Sequence, residues 1–417
     1  MKPLAVTACL LLALCACSAS AAQQAADPAV VADVRTLAAE MERIHPNLYH
    51  SITREQFQRS VDVLVAELPG LERDELLVRL LRIIASTGER DGHMGLFPLV
   101  DHERHLHLAP IRAWVFPEGV YVVSSPERPD LVGARIVAIE GRPVEEVAAL
   151  VRPLVTRDNE QSLVLRLPEF MITGEILHGL GLSKTADQVR LTVERAGGQR
   201  LDATLRTLAG PEYWSLVQHV WAPPPPVGRP TPLWLRNQTK TQWFATLARG
   251  RVVYAVYSHA TESTYAFSEA LLRRARDPRV RRVIVDARLN GGGDNTSYGP
   301  LLAALRARSV NRPGRLVLLT GRVTFSAGGN FAAEVDAFTR ARIVGEPAGG
   351  SPHNYGDSTL VELPTLGWTV YVPPEYVEVL GRVDERVALE PDVAVQIGAA
   401  DHFAGRDPVL AKAISIR

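Results

Sequence analysis

The sequence predicts an α/β protein of several units: an α/β core toward the C-terminal end, a β-rich module before it and a helical layer at the front. Three observations carry this reading. From Arg251 onward, short apolar runs alternate with amphipathic segments, the pattern of parallel strands joined by crossover helices. Residues 108–207 are rich in strand formers and punctuated by turn residues. Residues 28–87 place apolar side chains three and four apart. The chain has 417 residues, 46% of them hydrophobic, and a formal net charge of zero. That composition is ordinary for a globular protein of two or three domains, and it offers no basic excess to draw nucleic acid.

Taken in order, residues 1–22 read as an export signal. "MKPLAVTACLLLALCACSASAAQQ" has a basic start, an apolar run too short for a good membrane span and small residues after it. Leu14-Cys15-Ala16-Cys17 resembles a lipoprotein cleavage box, which would end the signal at residue 16 and lipidate Cys17. Ala19-Ser20-Ala21 offers ordinary cleavage instead. A periplasmic or envelope address is expected, with a lipid anchor favoured. All three cysteines, Cys9, Cys15 and Cys17, lie in this segment. Disulfides, thiolate metal sites and a cysteine nucleophile are therefore not expected in the mature chain.

Residues 23–100 form the helical unit, with "VVADVRTLAAEMERI" and "LERDELLVRLLRIIAST" as helices, ending at the turn-rich Gly88–His93. Residues 101–210 form the β-rich unit. "VYVVSS" is a strand, "GARIVAIEGRPVEEVAALV" is strand, turn and helix, and "QVRLTVERAGGQRLDATL" is a hairpin turning at Gly197-Gly198. "LVGARIVAIEGRPVEEV" resembles PDZ-type modules, which bind peptide ends by strand addition. Residues 156–187 would then be an insertion. Residues 211–250, with "WAPPPPVGRPTP", read as an extended proline-rich connector, and residues 251–417 as the core.

In such a core, ligands bind beyond the carboxyl ends of the strands. Ser326 lies just past the strand "RLVLLTG", in "RVTFSAGGNFAAE". Asn290-Gly291-Gly292-Gly293 follows the neighbouring strand "VIVDARL". A serine attacks a carbonyl only if a base takes its proton and donors receive the oxyanion. The N–H of Ala327 and those of the glycine loop are candidate donors, since glycine tolerates the backbone conformations that turn an N–H outward. Local chemistry also leaves open a serine that caps a helix and glycines that only turn the chain. Asp286 and Arg288 read as a buried pair that fixes the glycine loop, and Asn290 as its brace.

Four segments, "VIVDARLNGGGDN", "VTFSAGGNFAAE", "IVGEPAGGSPHNYGD" and "ALEPDVAV", come in that order. As a set they resemble the tail-specific, or C-terminal processing, serine proteases, whose relatives include the tricorn core. The resemblance implies a crotonase-like α/β protease core carrying the PDZ-like module and the helical layer, with Ser326 as nucleophile. Oxyanion and substrate contacts would come from Gly292, Gly293, Ala327 and His353. Many members take a lysine as base from the loop after Gly-Glu. Here that loop is Gly345–Ser351 and has no lysine, and the only lysine after Ser326 is Lys412. The tricorn-like branch takes a histidine instead, which points to His93 in Asp91-Gly92-His93, with His353 as the rival. In that branch a glutamate acts on the histidine through a serine. The glutamate corresponds to Glu385, with Asp91 and Asp384 as alternatives, but Gly92 stands where the serine would be.

His102, His105 and His107 invite a metal reading, yet their loose spacing fits a wet strand edge better. No cofactor or metal is expected. The function expected is an exported serine peptidase acting on peptides or proteins. The alternative is a non-catalytic protein of the same fold that binds a peptide or hydrophobic ligand.

Overall fold

The computed structural model describes residues 26–97, 106–217, 228–381 and 384–416. Cys17, His102, His105 and most of the proline-rich run lie outside these residues.

Three helices come first among the described residues: α1 (Pro28–Ile44), α2 (Arg54–Glu67) and α3 (Arg73–Ala85). Asp27 caps α1, and Thr53 with Gln56 forms a reciprocal capping box on α2. A short pair follows, β1 (His107–Leu108) with the later β8 (Leu208–Ala209). Next comes an antiparallel sheet in the order β2 (Arg112–Phe116), β3 (Gly119–Ser124), β4 (Arg135–Ile139), β6 (Gln188–Glu194), β7 (Arg200–Arg206), with β5 (Arg142–Pro143) folded back on β4. The β4–β5 turn holds Glu140 and Gly141 at φ 51° and 76°, the conformation that a two-residue hairpin turn demands. Helix α4 (Val144–Val151) follows. The expected insertion is structured: it contains α5 (Glu160–Met171) and α6 (Gly174–Gly179).

The stretch expected to be an extended connector differs at both ends. It begins with helix α7 (Gly210–Val217) and closes with β9 (Gln242–Leu247), which joins the core sheet. "WFATL" carries enough apolar and β-branched character to pair along β10, so the core sheet starts before Arg251. That sheet also holds β10 (Val252–Tyr257), β11 (Arg282–Asp286), β12 (Leu316–Thr320), β13 (Arg342–Gly345) and β18 (Val393–Ala394), in the order β18-β13-β12-β11-β10-β9. Every pairing is parallel except that of β9. β10 and β12 are buried along their whole length, as expected for strands covered on both faces. Helices α8 (Tyr265–Ala275), α9 (Gly299–Arg306) and α10 (Ala327–Phe338) cross over between strands, and α11 (Ala399–Phe403) and α12 (Pro408–Ser415) end the chain. Alternate strand residues feed two cores. Val253, Val283 and Leu318 pack with Phe331 on one face, and Tyr254, Ile284 and Val317 with Val409 and Leu410 on the other.

Two hairpin-like pairs interrupt the core: β14 (His353–Gly356) with β17 (Glu375–Glu378), and β15 (Thr359–Leu363) with β16 (Trp368–Val372). The second leaves the core and packs on the front of the molecule. Val361, Trp368 and Val370 share one apolar cluster with Met41, Leu77, Ile136 and Leu191.

Candidate active site

The carboxyl ends of β11 and β12, neighbours in the sheet, bring the glycine loop and the serine turn together. Ser326 sits at the N-cap position of α10 with φ 52° and ψ −132°, a backbone conformation that non-glycine residues rarely adopt. Its hydroxyl makes no capping bond to the helix, so the simple N-cap reading does not hold. Small neighbours make this turn possible. A Cβ on Gly292 would lie 2.5 Å from Ser326 Cβ, and one on Gly328 would lie 2.2 Å from the Asn290 carbonyl oxygen.

Asn290 braces both loops. Its carbonyl accepts the Phe325 N–H at 2.9 Å and its Oδ1 accepts the Gly292 N–H at 3.1 Å. The Gly292 donor is thus occupied in this state. Gly293 forms a parallel bridge with Ala260 through the Gly292 carbonyl and the Asp294 N–H, which leaves the Gly293 N–H out of that pairing. Ala327 is the first residue of α10, where an N–H has no intrahelical partner. The Asp286–Arg288 pair is buried as expected, and Arg288 also binds Asp407 across to α12, at 3.0 and 2.9 Å.

His93 arrives from the front of the chain. Its loop is stitched down by backbone bonds: Arg90 N–H to the Asp158 carbonyl, Asp91 N–H to Arg157, and Tyr355 N–H to the Arg90 carbonyl. Ser358 Oγ donates to the His93 carbonyl at 2.7 Å. The imidazole stacks on Phe325, next to Ser326, with centroids 4.7 Å apart and planes inclined by 28°. His93 and Ser326 line one cavity of about 440 Å³. No hydrogen bond joins the two side chains, a common looseness in unliganded sites. His93 Nδ1 is buried without a well-formed hydrogen bond. Burial, helped by the nearby Arg166 cation, holds His93 down to about 4, with the Tyr355 carbonyl pulling the other way. It is therefore neutral near pH 7.

The other expected residues sit elsewhere. His353 is buried in β14 outside the cavity, stacked with Tyr376 at 6.1 Å, and neither ring nitrogen has a partner. Glu385 is exposed, and its backbone carbonyl accepts from Arg90 Nη2 at 3.0 Å. Asp384 is clamped by Arg386. Asp91 is buried between His45 Nε2 and His50 Nε2, at 2.8 and 2.9 Å. These three residues have the makings of a metal site, but the donor set argues against one. The Asn47 N–H donates to His45 Nδ1, which places that ring's proton on Nε2, where a metal would need a lone pair. The trio is a hydrogen-bonded clamp. His107, the described member of the other histidine group, pairs with Glu175 at the start of α6.

The sequence reading missed the insertion's contribution. Leu165, Arg166, Pro168, Glu169 and Ile172 of α5 and its C-terminal end form one wall of the cavity. Arg166 lies over the rings of Phe97 and Phe325, at 4.6 and 5.4 Å. Burial pushes Glu169 up to about 7, against the pull of Arg112 and Arg166. Asp158, just before α5, was also missed. The Asn159-x-x-Ser162 capping box announces the helix start, but nothing local shows that the helix faces the serine.

Compared with solved structures, the chain superposes on mature CPAF with a TM-score of 0.60 at 14% identity, covering 92% of this chain and 95% of that one. A mutant form of CPAF gives 0.64 at 12% identity, covering 93% and 98%. The chain has the fold of CPAF. The photosystem II D1 C-terminal processing protease also matches, with a TM-score of 0.44 at 15% identity over 91% of this chain and 98% of that one. No protein-family model and no curated protein matches the sequence. The α/β protease fold implied by the tail-specific resemblance is thus the fold observed, and the CPAF likeness spans front unit, β-rich unit and core together.

Proposed function

We propose that this protein is a serine peptidase with Ser326 as nucleophile and His93 as base. One observation supports this above the others: Ser326 is held at positive φ, without a capping role, in the cavity that it shares with a neutral histidine. The Ser326 hydroxyl attacks the peptide carbonyl as His93 accepts its proton. The N–H of Ala327 and a donor of the glycine loop, Gly293 or a released Gly292, receive the oxyanion. His93 then returns the proton to the leaving amine, and water repeats the cycle on the acyl-enzyme. The cavity walls are largely apolar, with Phe97, Trp114, Leu165, Ile172, Val323 and Tyr371 among them, so the substrate presents a large apolar side chain beside the scissile bond. Export and lipidation of Cys17 belong to the same proposal.

The test is labelling with a serine-directed fluorophosphonate, followed by peptide hydrolysis. Wild type labels and hydrolyses, and Ser326→Ala does neither. His93→Ala loses about three to four orders of magnitude in kcat. Glu385→Gln costs less, because the side chain is exposed and Gly92 interrupts any relay to His93. The second reading, a binder that keeps the fold, draws on the missing Ser326–His93 hydrogen bond. It requires that wild type does not label and that ligand affinity is indifferent to Ser326.

A further inference from the structure

Asp158 has no role in the chemistry described so far, yet it is fully buried at the junction of three loops. Its Oδ1 accepts the Gly92 N–H at 2.7 Å, one residue before His93. Its Oδ2 accepts the Ser351 N–H at 3.1 Å. Its carbonyl accepts the Arg90 N–H at 2.9 Å and the Ser351 hydroxyl at 3.2 Å. Ser351 continues a loop that rests on the nucleophile. Gly350 donates to the Thr324 carbonyl at 3.0 Å, and a Cβ on it would lie 3.3 Å from both Phe325 Cα and Ser326 N. One carboxylate thus spans the histidine loop and the loop beneath the serine. It also fills the place of a side chain on residue 92, since a Cβ there would lie 2.7 Å from Oδ1 and 2.9 Å from the Asp158 backbone nitrogen.

We propose that Asp158 is a positioning residue that sets the approach of His93 to Ser326 by holding the two loops through its two carboxylate oxygens, in place of the serine-and-glutamate relay that Gly92 rules out. This rests on the peptidase reading of the same site. The ionised form is the competent one, because a carboxylate accepts at both oxygens whereas a protonated carboxyl turns one of them into a donor. The charged groups around it are Arg166 from α5 and Asp91 from the histidine loop, the latter held by His45 and His50. Burial pushes Asp158 up to about 7 against both N–H donors and Arg166. The proton balance of this group therefore changes in the range where activity is measured.

The experiment compares wild type with Asp158→Asn. It measures the fluorophosphonate labelling rate and peptide kcat and KM from about pH 5 to about pH 8, with amide hydrogen exchange on segments holding Gly92 and Ser351. In wild type the labelling rate falls as the pH drops through about 7. In Asp158→Asn that limb is gone, kcat is lower by about tenfold or more with KM little changed, and exchange accelerates at both segments. A loss of folded protein alone would lower the rate without reshaping the profile. An Asn variant with the wild-type rate, profile and exchange overturns the proposal. If that variant does not fold, wild-type exchange decides, because the Glu169 carboxyl in the same cavity would give a similar rate limb: protection at Gly92 and Ser351 that is unchanged through about pH 7, after correction for the intrinsic pH dependence of exchange, overturns it. Wild type that does not label at all defeats the peptidase reading instead. The exchange arm then still decides whether Asp158 holds the two loops.

Discussion

The atoms nearest the chemistry explain why some residues were legible and others were not. Ser326, the glycine loop and His93 stand in short ordered motifs, and the structure gathers them in one cavity. Asp158 and Arg166 stand in no motif. Their importance comes from burial and from partners far along the chain, which local patterning does not encode. Gly92→Ser does not restore a relay, because the new Cβ meets Asp158 at 2.7 Å. Overpacking there lowers stability by about 1–3 kcal/mol and slows hydrolysis, read from urea midpoints and kcat; a variant as stable as wild type and faster would contradict it. Arg166→Gln acts on pH dependence. The cation disfavours the imidazolium of His93 and favours the carboxylate of Asp158, so both are lowered by it. Removing it raises both, and the acid side of the labelling profile moves to higher pH. An unmoved profile would show that Arg166 does not face these groups in solution.

At the level of helices and strands, the alternation after Arg251 was readable because β10, β11 and β12 are short, apolar and separated by amphipathic helices. The β4–β5 turn and the β6–β7 hairpin were readable from their glycines. Strand β9 was hidden by the proline-rich run before it, and α5 by Pro168 within it. The β14–β17 and β15–β16 pairs depend on long-range partners and gave no period to count. The element that fixes the glycine loop is α12, through Asp407 on Arg288. Asp407 also caps α12 by accepting the Leu410 N–H at 2.9 Å. Asp407→Ala leaves Arg288 buried with half its partners and removes the cap. The expected cost is about 3–5 kcal/mol, measured by chemical denaturation, with a parallel loss of labelling as the loop after β11 relaxes. A cost near zero would mean that the pair is ornamental.

For the molecule as a whole, no helix among the described residues is long and apolar enough to cross a membrane, and the proposed lipid anchor at Cys17 is tested separately. Fractionation of cells carrying the native protein or Cys17→Ser tests the lipid anchor. The native protein is expected with membranes and the variant in the periplasmic fluid; equal solubility of both would favour ordinary cleavage. The hairpin β15–β16 bears on a different matter, the timing of synthesis. Its Trp368 lies under the Arg73 guanidinium at 4.8 Å, Leu366 N–H is held by Asp33, and Tyr371 pairs with Gly95 through two backbone bonds. The front core therefore stays unfinished until residues 359–372, made after Ser326, have emerged. A chain stalled before Ser358 would contain both Ser326 and His93, but neither the hairpin that closes the front core nor Ser358 itself, which tethers the histidine loop. Such wide sequence separation slows assembly, so the front core closes after the serine turn has been made. On the proposed peptidase reading, a growing chain is kept from cutting itself or its neighbours until the hairpin and, behind it, α12 with its hold on the glycine loop have been made.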